Sequence, residues 1–381
     1  MKNTIYLDNA ATTEIDESIL KNPLMKQTYA NASSQHSLGK IAKEEIEKAR
    51  MKIAKFINAE PEEIIFTSGG TESNNLAIKG LASANPDKNH IITSKIEHPS
   101  VIEVCKFLES QGYKIDYINV NEHGILNPEE IRNKITEKTL LVTIMHVNNE
   151  IGTIQPIEEI GKTCKEKNVY FHSDCVQSFE KEKIDVKKMN LDLISVSGHK
   201  INAPKGIGFL YIKKHTKINP IFHGGGQERN LRSGTENTQG IISLSEALNI
   251  KREIEKVRKS RDYLINELLK IKGTRLNGSK EQRIHNNINI SFYGIEGESL
   301  MLMLNKQGIE VSTGSACSSN KLEESHVLKA IDTPELYLHG SIRITLDTRK
   351  PLTKTQEEFI IKQIKQNYEK LQKISPFKFK G

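Results

Sequence analysis

A lysine at the mouth of a buried strand is the residue from which chemistry can be read. Residues 191–196 and 206–212 are apolar runs of strand length. Between them stand Ser197-Gly198-His199-Lys200 and the breakers Asn202, Pro204 and Gly206. Lysine normally keeps its ammonium in water. Desolvation lowers its pKa, and a neutral amine is a nucleophile toward carbonyl carbon. Ser197 and His199 are donors of the kind that hold a phosphate. Upstream, residues 169–174 form another strand-like run, ending in the carboxylate of Asp174. An amine at one strand end and an acid at another fit pyridoxal phosphate, the acid pairing with the pyridine nitrogen and the amine binding the aldehyde. A surface turn with a solvated lysine is the plain alternative, and the rest of the chain decides between them.

The elements that position these groups follow an alternating pattern. Strand-like runs at 5–7, 63–67, 90–94, 114–119, 140–146 and 169–172 are interleaved with helical spacing at 41–57, 76–84, 128–135 and 157–167. Such alternation over residues 5–212 predicts an α/β fold, a mostly parallel sheet covered on both faces. In such sheets ligands gather at the carboxyl ends of strands. Thr71, His98, Asn149, Asp174, Gln177 and the 197–200 turn all follow predicted strands, and this convergence favours the cofactor reading. At Ser68-Gly69-Gly70-Thr71 a strand meets a helix, where free N–H groups point at an anion. His98, just before Pro99, reads either as a cap or as a flat ring stacked on a cofactor.

Beyond residue 212 the pattern changes. Residues 223–237 form a Gly- and Arg-rich loop, long enough to reach a phosphate or a neighbouring subunit. Residues 241–269 read as one long charged helix leading to a smaller domain. There 288–292 and 309–311 are strands, 300–306 a helix, 341–346 a further strand and 355–371 a closing helix. Residues from about 375 onward read as a loose tail. Cys317 lies in the small, polar loop 312–320, the setting of a reactive thiol. Arg343, in an alternating strand, has the planar fork that clamps a carboxylate. Cys105 and Cys164 fall in helical patterns and read as core; Cys175 follows Asp174 with no assigned role.

Composition bounds the function. The chain has 381 residues, a net charge of +7, 36% hydrophobic residues, no Trp and four Cys without paired spacing. A disulfide framework or zinc site is not expected. The basic excess alternates with Glu and is not clustered with aromatics, so no direct nucleic-acid contact is expected. No run is long enough for a membrane helix. Acidic and polar residues in MKNTIYLDNAATT come too early for a signal peptide, so the expected compartment is the cytoplasm.

Taken together, YLDNAATT, FTSGGTESNN, Glu97-His98, MHVNNEIGTIQPI, Asp174 with Gln177, SGHK, PKGIG, GGGQER with LRSGTEN, and GSACSS resemble the pyridoxal-phosphate-dependent cysteine desulfurases of the NifS/IscS type, in the class V aminotransferase group. The resemblance spans almost the whole chain. It implies a fold-type I transferase with a seven-stranded-type sheet in a large domain, residues 15–255. A smaller α+β domain, residues 1–14 and 256–381, would carry the nucleophile loop. It implies a homodimer with its active site at the subunit interface. By resemblance Lys200 binds the aldehyde, Asp174 the pyridine nitrogen and His98 stacks on the ring. Asn149 and Gln177 address the 3-oxygen side. Gly70, Thr71, Ser197 and His199 hold the phosphate, with Thr235 supplied by the partner subunit. Arg343 and Asn149 bind the carboxylate of L-cysteine. Cys317 takes the sulfur as a persulfide and leaves alanine. No resident metal is required, although Cys317 would meet an iron–sulfur cluster on a partner, and an iron–sulfur scaffold protein is the expected acceptor. Departures are Ala32 where the family has Pro, and Asp347 where it has Gly. Two alternatives stay open: a selenocysteine lyase or other class V aminotransferase-type enzyme, and a scaffold-gripping protein with vestigial chemistry.

Overall fold

The computed structural model describes residues 4–313 and 324–379. Its strands are β1 (Ile5–Tyr6), β2 (Ile64–Thr67), β3 (His90–Ser94), β4 (Lys114–Ile118), β5 (Thr139–Thr143), β6 (Tyr170–Asp174), β7 (Leu193–Ser197), β8 (Gly208–Ile212), β9 (Thr274–Leu276), β10 (Asn287–Phe292), β11 (Ile309–Glu310) and β12 (Ser341–Thr345). Seven of them form one sheet in the order β2-β8-β7-β6-β5-β3-β4. β3 to β7 pair in parallel, while β8 runs antiparallel to both β2 and β7. The expected mostly parallel sheet is therefore present.

Strand side chains alternate between the two faces, and two apolar layers result. Ile64, Phe66, Ile194, Val196, Phe209 and Tyr211 face the layer built with the helices Ser37–Phe56, Ile157–Glu166 and Thr238–Glu246. Ile65, Leu193, Leu210 and Ile212 face the opposite layer, with Leu76, Leu81 and the helix Pro99–Ser110. Sheets buried on both faces read as continuous apolar runs, which is why these strands were legible.

A second apolar core joins Ile5 and Leu7 to Val257, Leu264, Ile290, Phe292, Leu300, Ile342, Ile344 and Ile364. Here β10 lies between β12 and β9, antiparallel to both, and β1 pairs in parallel with β11. Two expectations need correction, and one strand is additional. The stretch 241–269 is not one helix. It breaks between Thr238–Glu246 and Ile254–Leu268, where Ala247–Asn249 tightens into a 3₁₀ turn and Ile250 is extended. β9 was not foreseen, because three residues carry no periodicity. The tail is docked rather than loose over its described part. The Ser375 hydroxyl donates to the Gly294 carbonyl, and Phe379 packs edge-on against Tyr293 with ring centres 5.3 Å apart.

Candidate active site

The carboxyl ends of β2, β3, β5, β6 and β7 open on one cavity of about 290 Å³. Of the expected residues, Gly70, Thr71, His98, Asn149, Asp174, Gln177, Ser197, His199, Lys200 and Arg343 all line it. Thr235 does not; it is exposed on the 223–237 loop. Cys317 lies outside the described residues.

Lys200 closes the one-turn 3₁₀ helix Gly198–Lys200 that follows β7. Its ammonium donates to the carbonyls of Ala10 at 2.5 Å and Ala11 at 2.8 Å. The N-terminal segment therefore supplies part of the lysine's cradle. Asp174 ends β6 and is 5% exposed. It accepts from Asn74 Nδ2 at 2.8 Å and from the Val176 N–H at 2.9 Å. Bonds of this kind fix the direction of the carboxylate.

His98 caps the helix Pro99–Ser110. Its Nδ1 accepts from the Ser100 N–H at 3.1 Å and lies 2.8 Å from Ser100 Oγ. Nδ1 is thus an acceptor, which leaves the proton on Nε2 of a neutral ring. Burial holds His98 below the usual histidine range. Asp174 opposes that shift, and Lys200 and His326 add to it. The cap and the stacked ring, alternatives in the sequence, are compatible: the cap sets the orientation of a ring that lines the cavity. His199 is pushed down to about 4 by burial and by Lys200, Lys205 and Lys181; its Nδ1 lies 3.2 Å from Thr12 Oγ1.

Gly69 has φ of +150°, a conformation that side chains resist. A methyl group on Gly70 would sit 2.6 Å from Val176 Cγ2 and 3.7 Å from Ser197 Cβ. The two glycines thus keep a small recess open beside Ser197 and Thr71.

Arg343 reaches the cavity from the second core. It is 3% exposed, and donates to the Asn149 carbonyl at 3.1 Å and to Asp8 Oδ1 at 2.8 Å. Its Nε has no partner among the described residues. The segment that holds Cys317 is flanked by contacts to this wall. Ser312 and Arg343 exchange backbone hydrogen bonds at 3.2 and 2.6 Å, and Ser325 Oγ donates to Glu150 Oε2 at 2.5 Å.

Sequence reasoning missed Asn74, Ser100, Asp8 and the Ala10 and Ala11 carbonyls as part of the site. Asn74 lay inside a quoted motif, one helical turn past Gly70, a spacing that could have flagged it. Asp8 lay inside the quoted YLDNAATT, but its partner is distant in sequence, so no spacing pointed to its role. Cys105, Cys164 and Cys175 are buried, and burial pushes Cys105 and Cys175 up to about 12 and raises Cys164 as well.

The pocket fits pyridoxal phosphate. It offers an anchored carboxylate for a ring nitrogen, a flat neutral imidazole, a lysine amine held toward the cavity and a glycine-lined recess with hydroxyl donors. Among the described residues no cluster of metal-ligating side chains was found, and no helix is long and apolar enough to cross a membrane.

Comparison with known proteins agrees with this geometry. The family model for aminotransferase class-V matches residues 5–349. A cysteine desulfurase IscS from Dictyoglomus turgidum is 48% identical, covering 99% of this chain and 98% of that one. A cysteine desulfurase IscS from Methanosarcina thermophila is also 48% identical, over 98% and 94% of the two chains. The solved structure of a NifS-like protein superposes with a TM-score of 0.90 at 36% identity, covering 97% of this chain and 100% of that chain. A structure described as SspA in complex with cysteine gives 0.83 at 37% identity, over 91% and 100%. With an α/β sheet of this topology, a lysine and a carboxylate at adjacent strand ends and full-length similarity of this degree, the chain belongs to the class-V aminotransferase family and, within it, to the cysteine desulfurases.

Proposed function

We propose that this chain removes sulfur from L-cysteine, releasing L-alanine and holding the sulfur as a persulfide on Cys317. The family works with pyridoxal phosphate. When bound, that group supplies an electron sink for negative charge at the substrate's α-carbon. The observation that carries the reading is the meeting of Lys200, Asp174 and Arg343 on one cavity.

Each side chain has a task that its surroundings support. Asp174, fixed by Asn74 and Val176, would pair with the ring nitrogen. His98 presents its neutral face to the ring. Asn149 and Gln177 address the ring oxygen. Gly70, Thr71, Ser197 and His199 hold the phosphate, and Thr235 of a second copy completes that cradle in a homodimer. Arg343 binds the substrate carboxylate, with Asn149 beside it. Lys200 would bind the aldehyde, and its amine, when free, would hold a proton near the α-carbon. The Cys317 thiolate attacks the substrate sulfur; an S–S bond forms, the C–S bond breaks, and its electron pair stays with the alanine skeleton. Residues 1–14 and 256–381 act as one small domain that presents Arg343 and Cys317 to the large domain, residues 15–255. The onward acceptor is an iron–sulfur scaffold protein, met in the cytoplasm.

The test is product analysis with L-cysteine. Wild type should form alanine and protein-bound persulfide in equal amounts. Lys200→Ala should form neither, and Cys317→Ser should lose the persulfide. Persulfide formation at the wild-type rate by Cys317→Ser would overturn the nucleophile assignment.

A further inference from the structure

Behind the cofactor pocket lies a buried lysine to which the mechanism gives no task. We propose that Lys181 is a positioning residue: it holds the Gln177 amide with its N–H edge turned toward the bound cofactor. The proposal rests on the reading of the cavity as a pyridoxal phosphate site.

Lys181 is 8% exposed, in the turns that follow β6 and one helical turn beyond Gln177. Its ammonium stands 3.5 Å from Gln177 Oε1, a long contact. In its charged form Lys181 only donates and a carbonyl oxygen only accepts, which sets the direction of that contact. The Gln177 oxygen therefore faces Lys181 and the amide nitrogen faces away. Nε2 donates to the Ala10 carbonyl at 3.0 Å, the same oxygen that receives the Lys200 ammonium at 2.5 Å. Nε2 has a second hydrogen, and Gln177 lines the cavity. Lys181 and the Ala10 carbonyl thus hold the two ends of the amide, so that its second N–H is a donor for the ring oxygen. Without Lys181 the amide keeps one anchor of two, and its N–H edge is held less firmly.

The surroundings argue against a purely structural lysine. Glu180 is the nearby opposite charge, but it is paired with Arg252. Arg252 and Lys200 are like charges. His285 packs in from the second domain and is 1% exposed; neither ring nitrogen has a partner among the described residues. Beyond it lie Arg258 and Arg261, with Glu182 facing both. Burial, then Lys200 and Arg252, push the Lys181 ammonium down to about 7 against the pull of Glu180. A buried cation so incompletely paired costs stability, and an apolar side chain of similar volume would fill the space. Its place beside Gln177 gives the charge a use.

The experiment uses the holoenzyme carrying Lys181→Met, Lys181→Arg, Gln177→Leu, or Gln177→Leu with Lys181→Met. The readouts are the pH midpoint of the bound cofactor's visible absorbance, cofactor retention on dialysis, and thermal unfolding. Lys181→Met removes a positive charge and lets the amide turn, and both changes favour protonation of the lysine linkage. Its midpoint should rise by about one unit, with severalfold faster cofactor loss, and Lys181→Arg should restore most of both. In the Gln177→Leu background the Lys181→Met shift should shrink to the part owed to the lost charge, because coupled residues are not additive. A midpoint within about 0.2 unit of wild type, or an equal shift in both backgrounds, would overturn the proposal. If Lys181→Met does not fold, Lys181→Ala, small, uncharged and unable to donate, is measured against the same limits. A wild-type protein lacking a visible band that borohydride fixes on Lys200 would sink the cofactor reading instead.

Discussion

Replacing Arg343 with leucine separates substrate recognition from every other task of the cavity. The guanidinium is nearly buried and already committed on two sides, to the Asn149 carbonyl and to Asp8, which leaves the Nε–H and one N–H on each Nη for a new partner. A charge-assisted bond to a carboxylate contributes about 1.5–3 kcal/mol net. Its loss alone lowers kcat/KM roughly 10- to 150-fold. Arg343→Leu also uncovers the Asp8 carboxylate, whose side chain is 21% exposed. A substrate carboxylate about 6 Å from it would be repelled by roughly 1–3 kcal/mol, depending on local screening. The two effects add in sign, so the expected fall lies at or beyond the upper end, about 100-fold or more. Most of it should appear in KM, with the visible band of the cofactor unchanged. Arg343→Lys keeps the charge but loses the fork and should fall between. Asp8→Asn combined with Arg343→Leu should recover part of the loss. The assay is the initial rate of alanine formation across cysteine concentrations, with excess reductant to clear the persulfide. A change in kcat/KM below about threefold, or a loss confined to kcat with KM unmoved, would refute the assignment of Arg343 to the carboxylate.

Asp174→Asn keeps the shape but not the charge opposite the pyridine nitrogen; kcat should fall about 100-fold or more while thermal unfolding changes little, and an undiminished kcat would count against the ring-nitrogen role. Glu97 is fully buried, and desolvation, with Asp174 adding to it, raises its carboxyl to about 8. It is therefore protonated in the folded state when it would already be ionised in the unfolded chain, so the stability it contributes is complete below about pH 4.5 and lost as pH rises through about 8. Glu97→Gln should match wild type near pH 5 and exceed it by a few kcal/mol near pH 9; parallel urea stability curves across that range would count against it. Glu228 accepts from both Arg50 Nη groups at 2.7 and 2.9 Å and from the Phe66 N–H at 2.7 Å, all buried. Glu228→Gln should cost about 3 kcal/mol in urea unfolding, and a cost below about 1 kcal/mol would show that the pair is solvated.

The legibility of the chain follows from the range of its interactions. Strands buried on both faces announced themselves as apolar runs, and Asp174 and Lys200 stood out because charge at the end of such a run is costly. The helical break at Ala247–Asn249 was hidden, because the residues around it keep helical composition and only tertiary packing interrupts them. The docking of Ser375 and Phe379 depends on Gly294 and Tyr293, far away in sequence, so local polarity pointed the wrong way. The site shows the same division. Residues that follow strands were found by position. Asn74, Asp8 and the Ala10 carbonyl act through partners a hundred or more residues distant, a relation that spacing does not encode.

The course of the N-terminal segment has a practical corollary. Ile5–Tyr6 is stitched beside Ile309–Glu310, Leu7 plugs into the smaller core, Asp8 grips Arg343, and Ala10 and Ala11 meet the Lys200 amine. One short tether thus ties the arginine wall to the lysine wall, like a lever whose two ends answer to different apolar cores. A tilt of the smaller core would therefore be felt at the Lys200 amine. Trimming the chain through residue 11, as an expression shortcut might do, would disarm both walls at a stroke while leaving the seven-stranded sheet untouched.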